Sequence, residues 1–583
     1  MDQKRLFLAI ALSVLIMVAF QALLPRPRHV PPPVTAERTT TAPAPPPTET
    51  IGKTPQDNGI APAVPPAAVP RVAIDAPRVS GSISLIGARL DDVVLNDYHE
   101  SIARSSPLVQ LLEAQGDPEP TYIQFGWTAD GGVRVPDGTT RWSASADKLT
   151  AGKPVTLSWD NGAGVVFQLI VSIDDEYMFH VEQRVQNDTG APVAVHPWQR
   201  VNRDYTPTTG GYSVLHEGLV GWVDGRLREN TYASAKSSGA KHDGIAYQGS
   251  GTGGWAGFTD KYWLEAVIPS QTVATTTSYR YVDASKGAYQ ADTITAQPQI
   301  VPPHGAVTTM ARAFVGAKEV RLLNRYQDQD GVSHFSYAID WGWFWFLTKP
   351  IYYALDWLYA ALGNFGLAIM VFTIMVKALF FPLANRSYRS MSKMKLLGPK
   401  MTALREQYKD DQGKLQQQMM ALYKAEGVNP ASGCLPMVVQ IPVFFSLYKV
   451  IFINIDMRHA PFFGWIHDLS AVDPTNVFNL FGLLPFHPTT ISPFLHLGIW
   501  PLVMGLTMWG QQKLNPPPPD PTQAKLFQLM PIIFTFMLAR FPAGLVIYWT
   551  WNNLLTIGQQ WLIMRQTRLN RPRLARPSRS ANT

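Results

Sequence analysis

Few residues in this chain of 583 are arranged for covalent chemistry. Its single cysteine, Cys434, excludes an internal disulfide framework and any multi-cysteine zinc or iron–sulfur site. Residues 249–254 match the glycine spacing of a dinucleotide fingerprint, but no amphipathic helix pattern follows to receive a pyrophosphate. We therefore interpret residues 249–254 as a flexible glycine loop, and we predict no cofactor and no metal.

Three residues could belong to a sugar-processing site, which needs histidine and glutamate or paired carboxylates converging in a cleft. These residues are His180, Glu182 and His242, but their spacing does not distinguish them from ordinary strand residues. A carbohydrate-active or carbohydrate-binding envelope protein is the alternative function. A transporter would require internal symmetry between two halves, which the apolar pattern lacks.

The more informative polar residues lie inside long apolar runs. Thr373 and Lys377 are four residues apart and would share one face of a helix. Gln440 and Thr507 lie in two other runs, and Asn552, Thr556, Gln559 and Gln560 follow the spacing of one helical stripe. Charge inside a membrane costs roughly 2.5–3.5 kcal/mol on insertion scales and is functional by default.

Lys377 has two possible roles. It could face a wet groove, or its long stem could carry the charge to the nearby membrane surface. The sequence leaves both open.

The apolar runs predict membrane spans, because a helix needs about 20 mostly apolar residues to cross the hydrocarbon core. The first run, 6–24, is longer than the roughly 7–15 apolar residues of a secretory signal, which favours an uncleaved anchor within 1–24. Five further spans are predicted at 365–383, 434–453, 495–511, 526–541 and 543–564. The predicted fold class is a polytopic α-helical membrane protein with six spans.

The segments between the first two spans have distinct compositions. Residues 25–78 are rich in proline and alanine and predict an extended tether. Residues 79–330 alternate with period two between turn residues, which predicts a large β-sandwich. Within 331–361, tryptophan and tyrosine cluster as in a helix lying at the membrane interface, with an ordinary buried helix as the alternative.

Charge sets the predicted orientation. Residues 384–433 carry nine lysines and arginines, whereas 454–494 carry only Arg458. Because basic connections stay in the cytoplasm, both termini are predicted there, with the β domain outside. The basic segment 384–432 has apolar spacings of three and four and a central Asp-Asp-Gln-Gly turn, which predicts a helical hairpin kinked near Gly398.

Short motifs follow one another between residues 340 and 565. They are Lys377-Ala-Leu-Phe-Phe-Pro382, Tyr388-Arg-Ser-Met391, Met420-Ala-Leu-Tyr423, Gly433-Cys434-Leu-Pro436, Gln440-Ile-Pro442, Trp465-Ile-His467-Asp468 and Phe541-Pro542-Ala-Gly544. In order and content they resemble the YidC/Oxa/Alb family of membrane protein insertases. The anchor, tether and external β domain resemble the form of that family found in Gram-negative bacteria.

The resemblance implies a five-helix insertase core (362–564) and a periplasmic β-supersandwich. It further implies transfer of hydrophobic segments of nascent membrane proteins into the inner membrane, alone or with the Sec translocon. The implied activity is that of an insertase and chaperone, not of an enzyme. Family members carry an arginine where this chain has Lys377, so the chain departs from the family at that position.

The resemblance also suggests site residues. The groove set is Thr373, Lys377, Gln440, Thr507, Asn552 and Thr556. The substrate slide, for which plain packing is the alternative, is Val439, Phe444, Phe445, Met530, Phe534 and Met537. The hairpin set, a solvated surface or a docking arm, is Tyr388, Met391, Lys393, Met394, Lys400 and Arg405.

The tail 565–583 is rich in arginine and suits either anionic lipid or ribosomal RNA, whereas DNA is not an expected partner. The arginines proposed for this contact are Arg565, Arg568, Arg571, Arg573 and Arg576.

If this tail binds the ribosome, a chain truncated after Met564 should co-sediment with ribosomes less than the full chain at low salt. The physical reason is that each lost arginine removes a salt-dependent phosphate contact. Equal co-sedimentation of the two chains would contradict ribosome docking and leave anionic lipid as the partner.

Overall fold

The computed structural model describes residues 69–569 except for 104, 210–214, 284–285, 410, 428–434, 493–494 and 516–520. The side chains of 412, 435–439, 521–523 and 567–569 also lie outside the description. The predicted anchor, most of the tether, Cys434 and the tail arginines Arg571, Arg573 and Arg576 therefore lie outside the described residues.

Two antiparallel sheets build the N-terminal part. The larger contains β1 (Arg71–Asp75), β2 (Val79–Ser84), β3 (Arg89–His99), β4 (Leu108–Leu112), β5 (Thr121–Ala129), β7 (Lys148–Thr150), β11 (Val193–Arg203), β14 (Ile245–Thr252), β17 (Ala274–Val282), β18 (Ala288–Thr295) and β19 (Gln299–Val301). The smaller contains β6 (Ser143–Ala144), β8 (Val155–Asp160), β9 (Val165–Ile173), β10 (Met178–Asn187), β12 (Gly218–Val223), β13 (Arg226–Thr231), β15 (Trp255–Thr259), β16 (Trp263–Ile268) and β20 (Gly305–Ala317). Among the described strand pairs, all are antiparallel except β1 with β7, which is parallel.

Alternation along the strands produces the core between the sheets. In β9 every second residue is buried, and the strand pairs with β8 and β10. The indole of Trp127 on β5 packs at 5.2 Å from the ring of Phe167 on β9, which joins the two sheets. Two short helices, α1 (Tyr232–Gly239) and α2 (Val320–Asp328), complete this domain. The predicted β domain is confirmed.

Two predictions about this domain were wrong. The domain begins at β1, inside the predicted tether 25–78, because Val72 and Ile74 alternate inward and pair with β2. The predicted glycine loop is largely strand β14, paired with β17, because its small residues alternate with Ser250 and Thr252. Gly253 and Gly254 need their residue type, since their φ values are +71° and +87°, and a Cβ added at Gly254 would lie 2.0 Å from the Trp222 carbonyl oxygen.

The C-terminal part is helical. Its helices are α3 (Trp345–Leu362), α4 (Phe365–Leu379), α5 (Phe381–Leu396), α6 (Gly398–Gln407), α7 (Gln412–Ala425), α8 (Leu435–Ile453), α9 (Ile499–Leu514), α10 (Pro521–Leu538) and α11 (Ala543–Leu569). Short 3₁₀ segments at Phe335–Ala338, Ile455–Met457 and Val477–Gly482 and a single turn at Pro488–Ile491 lie in the connections. Across the described residues, no single helix is long and apolar enough to cross a membrane, whereas the bent pair α4 and α5 passes that test together.

The predicted span 365–383 does not continue to its end. The chain bends by 69° between α4 and α5, and Pro382 lies in the first turn of α5. Proline is tolerated there because the amides in the first turn of a helix have no intrahelical acceptor, so proline removes no hydrogen bond. The first hairpin arm therefore begins at Phe381 and not at residue 384.

The predicted kink near Gly398 is a break between α5 and α6. Beyond it, α6 and α7 pack through Leu397 and Met401, with Met419 and Leu422 covering them. Helix α3 is amphipathic, with a buried face that includes Ile351 and Leu355 and an exposed face that includes Trp345 and Trp357.

An ion pair joins the C-terminal end of α8 to the segment that follows the β domain. The Lys449 ammonium lies 2.6 Å from the Asp340 carboxylate, and only 6% of the Lys449 side chain is exposed. The same carboxylate accepts the His216 amide at 3.0 Å. Burial alone would raise the pKa of Asp340, but the Lys449 charge outweighs it, and the pKa lies below its usual value. The pair therefore holds the β domain against the helices as a salt bridge.

Removal of one partner should expose the cost of this burial. We expect Asp340→Asn to lower the free energy of unfolding by roughly 3 kcal/mol, because the buried Lys449 ammonium would lose its ion-pair partner. Adding Lys449→Met should restore most of the loss. Unfolding in mixed micelles with increasing dodecyl sulfate measures both variants.

The matched control is Arg321→Met, which removes the exposed pair with Asp356, where the Arg321 side chain is 76% exposed. We expect less than about 1 kcal/mol there. A double variant less stable than Asp340→Asn alone would contradict this account.

Candidate functional site

The candidate site centres on Lys377, near the C-terminal end of α4. Its ammonium donates a hydrogen bond to the Thr556 hydroxyl on α11 at 2.8 Å. That hydroxyl in turn donates to the Asn552 carbonyl oxygen at 2.7 Å. Lys377 forms no ion pair with any residue in the described part of the chain. An ammonium group held by a neutral acceptor keeps donor capacity for an anionic ligand.

A second link runs from α8 to α11. The Gln440 amide donates to the Tyr548 hydroxyl at 2.8 Å and, more weakly, to the Asn552 side-chain oxygen at 3.4 Å. We call Lys377, Thr556, Asn552, Gln440 and Tyr548 the polar chain. It ties α4, α8 and α11 together through groups that apolar surroundings would otherwise leave unsatisfied.

A cavity opens beside the polar chain. It has about 430 Å³ of empty space, part of it open to solvent. The bend between α4 and α5 forms one wall, and α8 and α11 form the other. Its lining residues are Val376, Lys377, Phe380, Leu383, Ala384, Tyr388, Gln440, Val443 and Gln559. We call this cavity the groove.

Two of the predicted groove residues lie elsewhere. The buried Thr373 hydroxyl donates to the Ile369 carbonyl oxygen of its own helix at 2.7 Å. The buried Thr507 hydroxyl accepts the Asn553 amide at 3.2 Å, between α9 and α11. Both threonines are satisfied within the helix bundle and do not line the groove. Lys377, Gln440, Asn552 and Thr556 are brought together.

Near the groove, the sequence-based prediction missed Tyr548, assigned Tyr388 to another set and left Gln559 out of the groove set. Tyr548 lies four residues before Asn552, a helical spacing that could have identified it. Tyr388 was assigned to the hairpin but lines the groove, because α5 starts at the bend. Gln559 lines the groove as the polar stripe suggests, whereas Gln560 turns away and donates to Asn515 at 3.0 Å.

Of the predicted slide residues, two pack inside the helix bundle and two are exposed. Phe444 and Phe534 pack against Trp549, with ring centroids at 4.6 and 6.0 Å. Phe445 and Met537 are exposed, 45% and 48% respectively. Met530 is half-buried, and the side chain of Val439 lies outside the described residues.

Among the described hairpin and tail residues of the predicted sets, only Tyr388 lines the groove. Met391 packs near Tyr388, and Met394 packs on the α6–α7 contact. Lys400 pairs with Glu426 at 2.7 Å, while Lys393 is exposed and Arg405 half-buried. The Arg565 guanidinium lies over the Trp561 ring, and the Arg568 side chain lies outside the description.

The candidate sugar-site residues do not converge. His180 and Glu182 lie on β10 of the smaller sheet, whereas His242 precedes β14 of the larger one. His242 shares a hydrogen bond with the Ser238 carbonyl oxygen at the end of α1. The described residues contain no group of three or more His, Cys, Asp or Glu residues able to hold a metal ion.

Comparisons with known proteins cover nearly the whole chain. Residues 71–354 match the family model of the YidC periplasmic domain, and residues 357–570 match that of the 60Kd inner membrane protein. The chain is 60% identical to the membrane protein insertase YidC of Granulibacter bethesdensis, over 99% of this chain and 100% of that one. It is 56% identical to the protein of the same name from Acidiphilium cryptum, over 87% of this chain and 86% of that one.

Among solved structures, the chain is similar to an active YidC insertase with its first transmembrane domain resolved. The TM-score is 0.35 at 17% identity, with 84% of this chain and 93% of that one covered.

The geometry predicts which positions meet water. In a Cys434→Ser background, a cysteine at Gln440 should react with a membrane-impermeant methanethiosulfonate reagent, because Gln440 lines the open groove. Cysteines at Thr373 and Thr507 should react at least tenfold more slowly, since both side chains are buried in packed contacts. Mass spectrometry of the labelled full chain measures the rates, and equal rates at all three positions would contradict the assignment.

Proposed function

The chain belongs to the YidC family of membrane protein insertases, and from this premise we propose how its helices receive a client. The protein is an inner-membrane insertase with a periplasmic domain, and nascent membrane proteins are its substrates. We propose that a polar part of the client enters the groove from the cytoplasm. The adjoining apolar segment then passes sideways into the bilayer. The observation that carries this proposal is Lys377, which lines the groove, donates to the Thr556 hydroxyl and has no carboxylate partner among the described residues.

The groove lowers the cost of crossing by replacing lost hydration. Each unsatisfied polar group in hydrocarbon costs several kcal/mol. Side chains from α4, α8 and α11 converge at the polar chain and offer both donors and acceptors to a passing loop. No bond is made or broken, so solvation accounts for the whole effect.

Lys377 is proposed as the receptor for acidic parts of a client. Its hydrogen bond to Thr556 directs the ammonium into the helix bundle, which supports the groove role over the alternative of snorkelling. A lysine is a compact point charge, whereas the arginine typical of the family binds carboxylates with two prongs. A lysine therefore provides attraction with less geometric selectivity.

The exposed faces of α8 and α10 are proposed as the exit surface. Phe445 and Met537 are available to a client, and methionine tolerates many partner shapes. Phe444 and Phe534 act indirectly, because they hold Trp549 between the two helices. The proposed set of client-contacting residues is therefore smaller than the set expected from the sequence.

Topology and partners are part of the same proposal. The nine basic residues of 384–433 support six spans with a cytoplasmic hairpin and cytoplasmic termini. Lys393, Lys400 and Arg405 on the hairpin and Arg565 at the tail would then face the cytoplasm, where ribosomes and anionic lipid lie. Cooperation with the Sec translocon is proposed from the family resemblance.

The charge at Lys377 can be tested directly. In a host depleted of the protein, we expect Lys377→Met to reduce insertion of a client with a short acidic translocated loop by about tenfold. A hydrogen bond to a charged group contributes about 1.5–3 kcal/mol, and about 1.4 kcal/mol is a factor of ten. Lys377→Arg should insert the client nearly as well as the wild type. Protease protection of the loop measures insertion.

Two controls accompany this experiment. Lys513→Met removes an exposed lysine at the end of α9 and should have no effect. A client with a neutral loop should depend less on Lys377. If Lys377→Met and Lys377→Arg both insert the acidic client as well as the wild type, the charge is dispensable and the proposed role of Lys377 is wrong.

A further inference from the structure

The connection between α8 and α9 carries an unusual concentration of exposed apolar side chains. No Asp, Glu, Lys or Arg occurs from Pro474 to Gln512. We call residues 477–492 the apolar loop. Its exposed apolar residues are Phe478, Leu480, Phe481, Leu483, Leu484, Phe486 and Ile491, with Leu483 exposed to 82%. An exposed patch of this kind marks an interaction surface.

The base of the apolar loop is firmly held. The Asp473 carboxylate accepts the Trp465 indole N–H at 3.1 Å and the Trp500 amide at 2.9 Å. The Thr475 hydroxyl accepts the Ile499 amide at 2.9 Å, so the first turn of α9 is capped by the loop base. The loop is therefore oriented by the helix that follows it.

Two asparagine side chains at the start of the loop bond to backbone groups, whereas His487, Thr489 and Thr490 are exposed. The Asn476 side chain donates to the Leu495 carbonyl oxygen at 2.8 Å, and the Asn479 side chain accepts the Gly482 amide at 3.0 Å. Leu480 and Phe481 have φ values of 50° and 60°, a left-handed conformation that is costly for such residues. Such strain persists where the surroundings over-determine it, commonly at functional positions.

The contacts of α8 identify the side of the membrane. The α8 end that precedes the loop carries Lys449, which pairs with Asp340. Just beyond it, the Arg458 guanidinium donates to the Glu100 carbonyl oxygen of the β domain at 3.1 Å. Because the β domain is periplasmic, the apolar loop leaves the helices at their periplasmic end.

We propose that the apolar loop inserts into the periplasmic leaflet of the inner membrane and anchors the outer end of α9 in lipid. The occupant is the acyl region of the bilayer, because the loop is continuous with helices whose own exposed residues are apolar, such as Leu506. A polypeptide partner is less well matched, since no charge on the loop could select one. This inference rests on the proposed function only in taking α8 and α9 to cross the membrane.

Spin labelling of the full chain tests the anchor. In the Cys434→Ser background, single cysteines replace Leu483, Leu506 or Ile300, the last being a β-domain residue exposed to 57%. Each nitroxide-labelled protein is placed in vesicles of phosphatidylethanolamine and phosphatidylglycerol. Collision with oxygen, which partitions into lipid, is compared with collision with a water-soluble nickel chelate.

The expected result is an oxygen-to-nickel ratio at Leu483 several-fold above that at Ile300 and approaching that at Leu506. A second label at Phe481 should agree, because a misfolded loop would not reproduce the same depth at two positions. If Leu506 lies in lipid while Leu483 and Phe481 resemble Ile300, the anchor is wrong and the proposed span stands. If Leu506 also resembles Ile300, the span itself fails.

A photoreactive group at Leu483 adds a further arm. Crosslinking of a client in the vesicles, with Leu483 accessible to nickel before the client is added, would overturn the lipid anchor and assign the loop to polypeptide. Crosslinking to lipid alone supports the anchor.

Discussion

A charge among apolar helices must be matched by a counter-charge, by hydrogen bonds or by water. Two lysines in the described helices, Lys449 and Lys377, meet this requirement in different ways. Lys449 has a carboxylate partner, Asp340, at 2.6 Å. Within the described ranges, Lys377 has the neutral hydroxyl of Thr556 as its hydrogen-bond partner, no carboxylate, and the groove beside it. The first arrangement fixes structure, because a neutralised charge has little left to offer a ligand. The second leaves a charge available to the proposed client, at a desolvation cost.

The Lys449 pair also explains how the periplasmic domain and the helices form a continuous assembly. Helix α8 carries Gln440 of the polar chain toward one end and Lys449 toward the other. The contacts of Asp340 with both Lys449 and the His216 amide connect the β domain to the helix that forms one wall of the groove. A displacement of the β domain would therefore act on α8 through this ion pair.

Much of this architecture follows from periodicity. Period-two alternation identified β9 and its neighbours, and spacings of three and four identified the hairpin, because both patterns report a buried face. Lys377 could be selected because a charge in an apolar run is rare. The prediction failed where partners decide the outcome: Thr373 and Thr507 have suitable residue types, but their hydroxyls are satisfied by Ile369 and Asn553.

The start of the β domain was also mispredicted, because it too depends on a pairing partner. β1 was assigned to the tether because prolines surround it, although its pairing with β2 determines its structure.

The bend at Phe380 was also beyond sequence reasoning, and the groove depends on it. Because α5 turns away by 69°, both sides of the bend line the cavity, with Lys377 before it and Tyr388 after it.

The bend also limits α4 to 15 residues. These rise about 22 Å at 1.5 Å per residue, which is less than the roughly 30 Å of a typical hydrocarbon core. In the proposed function the bend therefore contributes twice, because it shortens α4 and also forms one wall of the groove that a polar loop of the client enters.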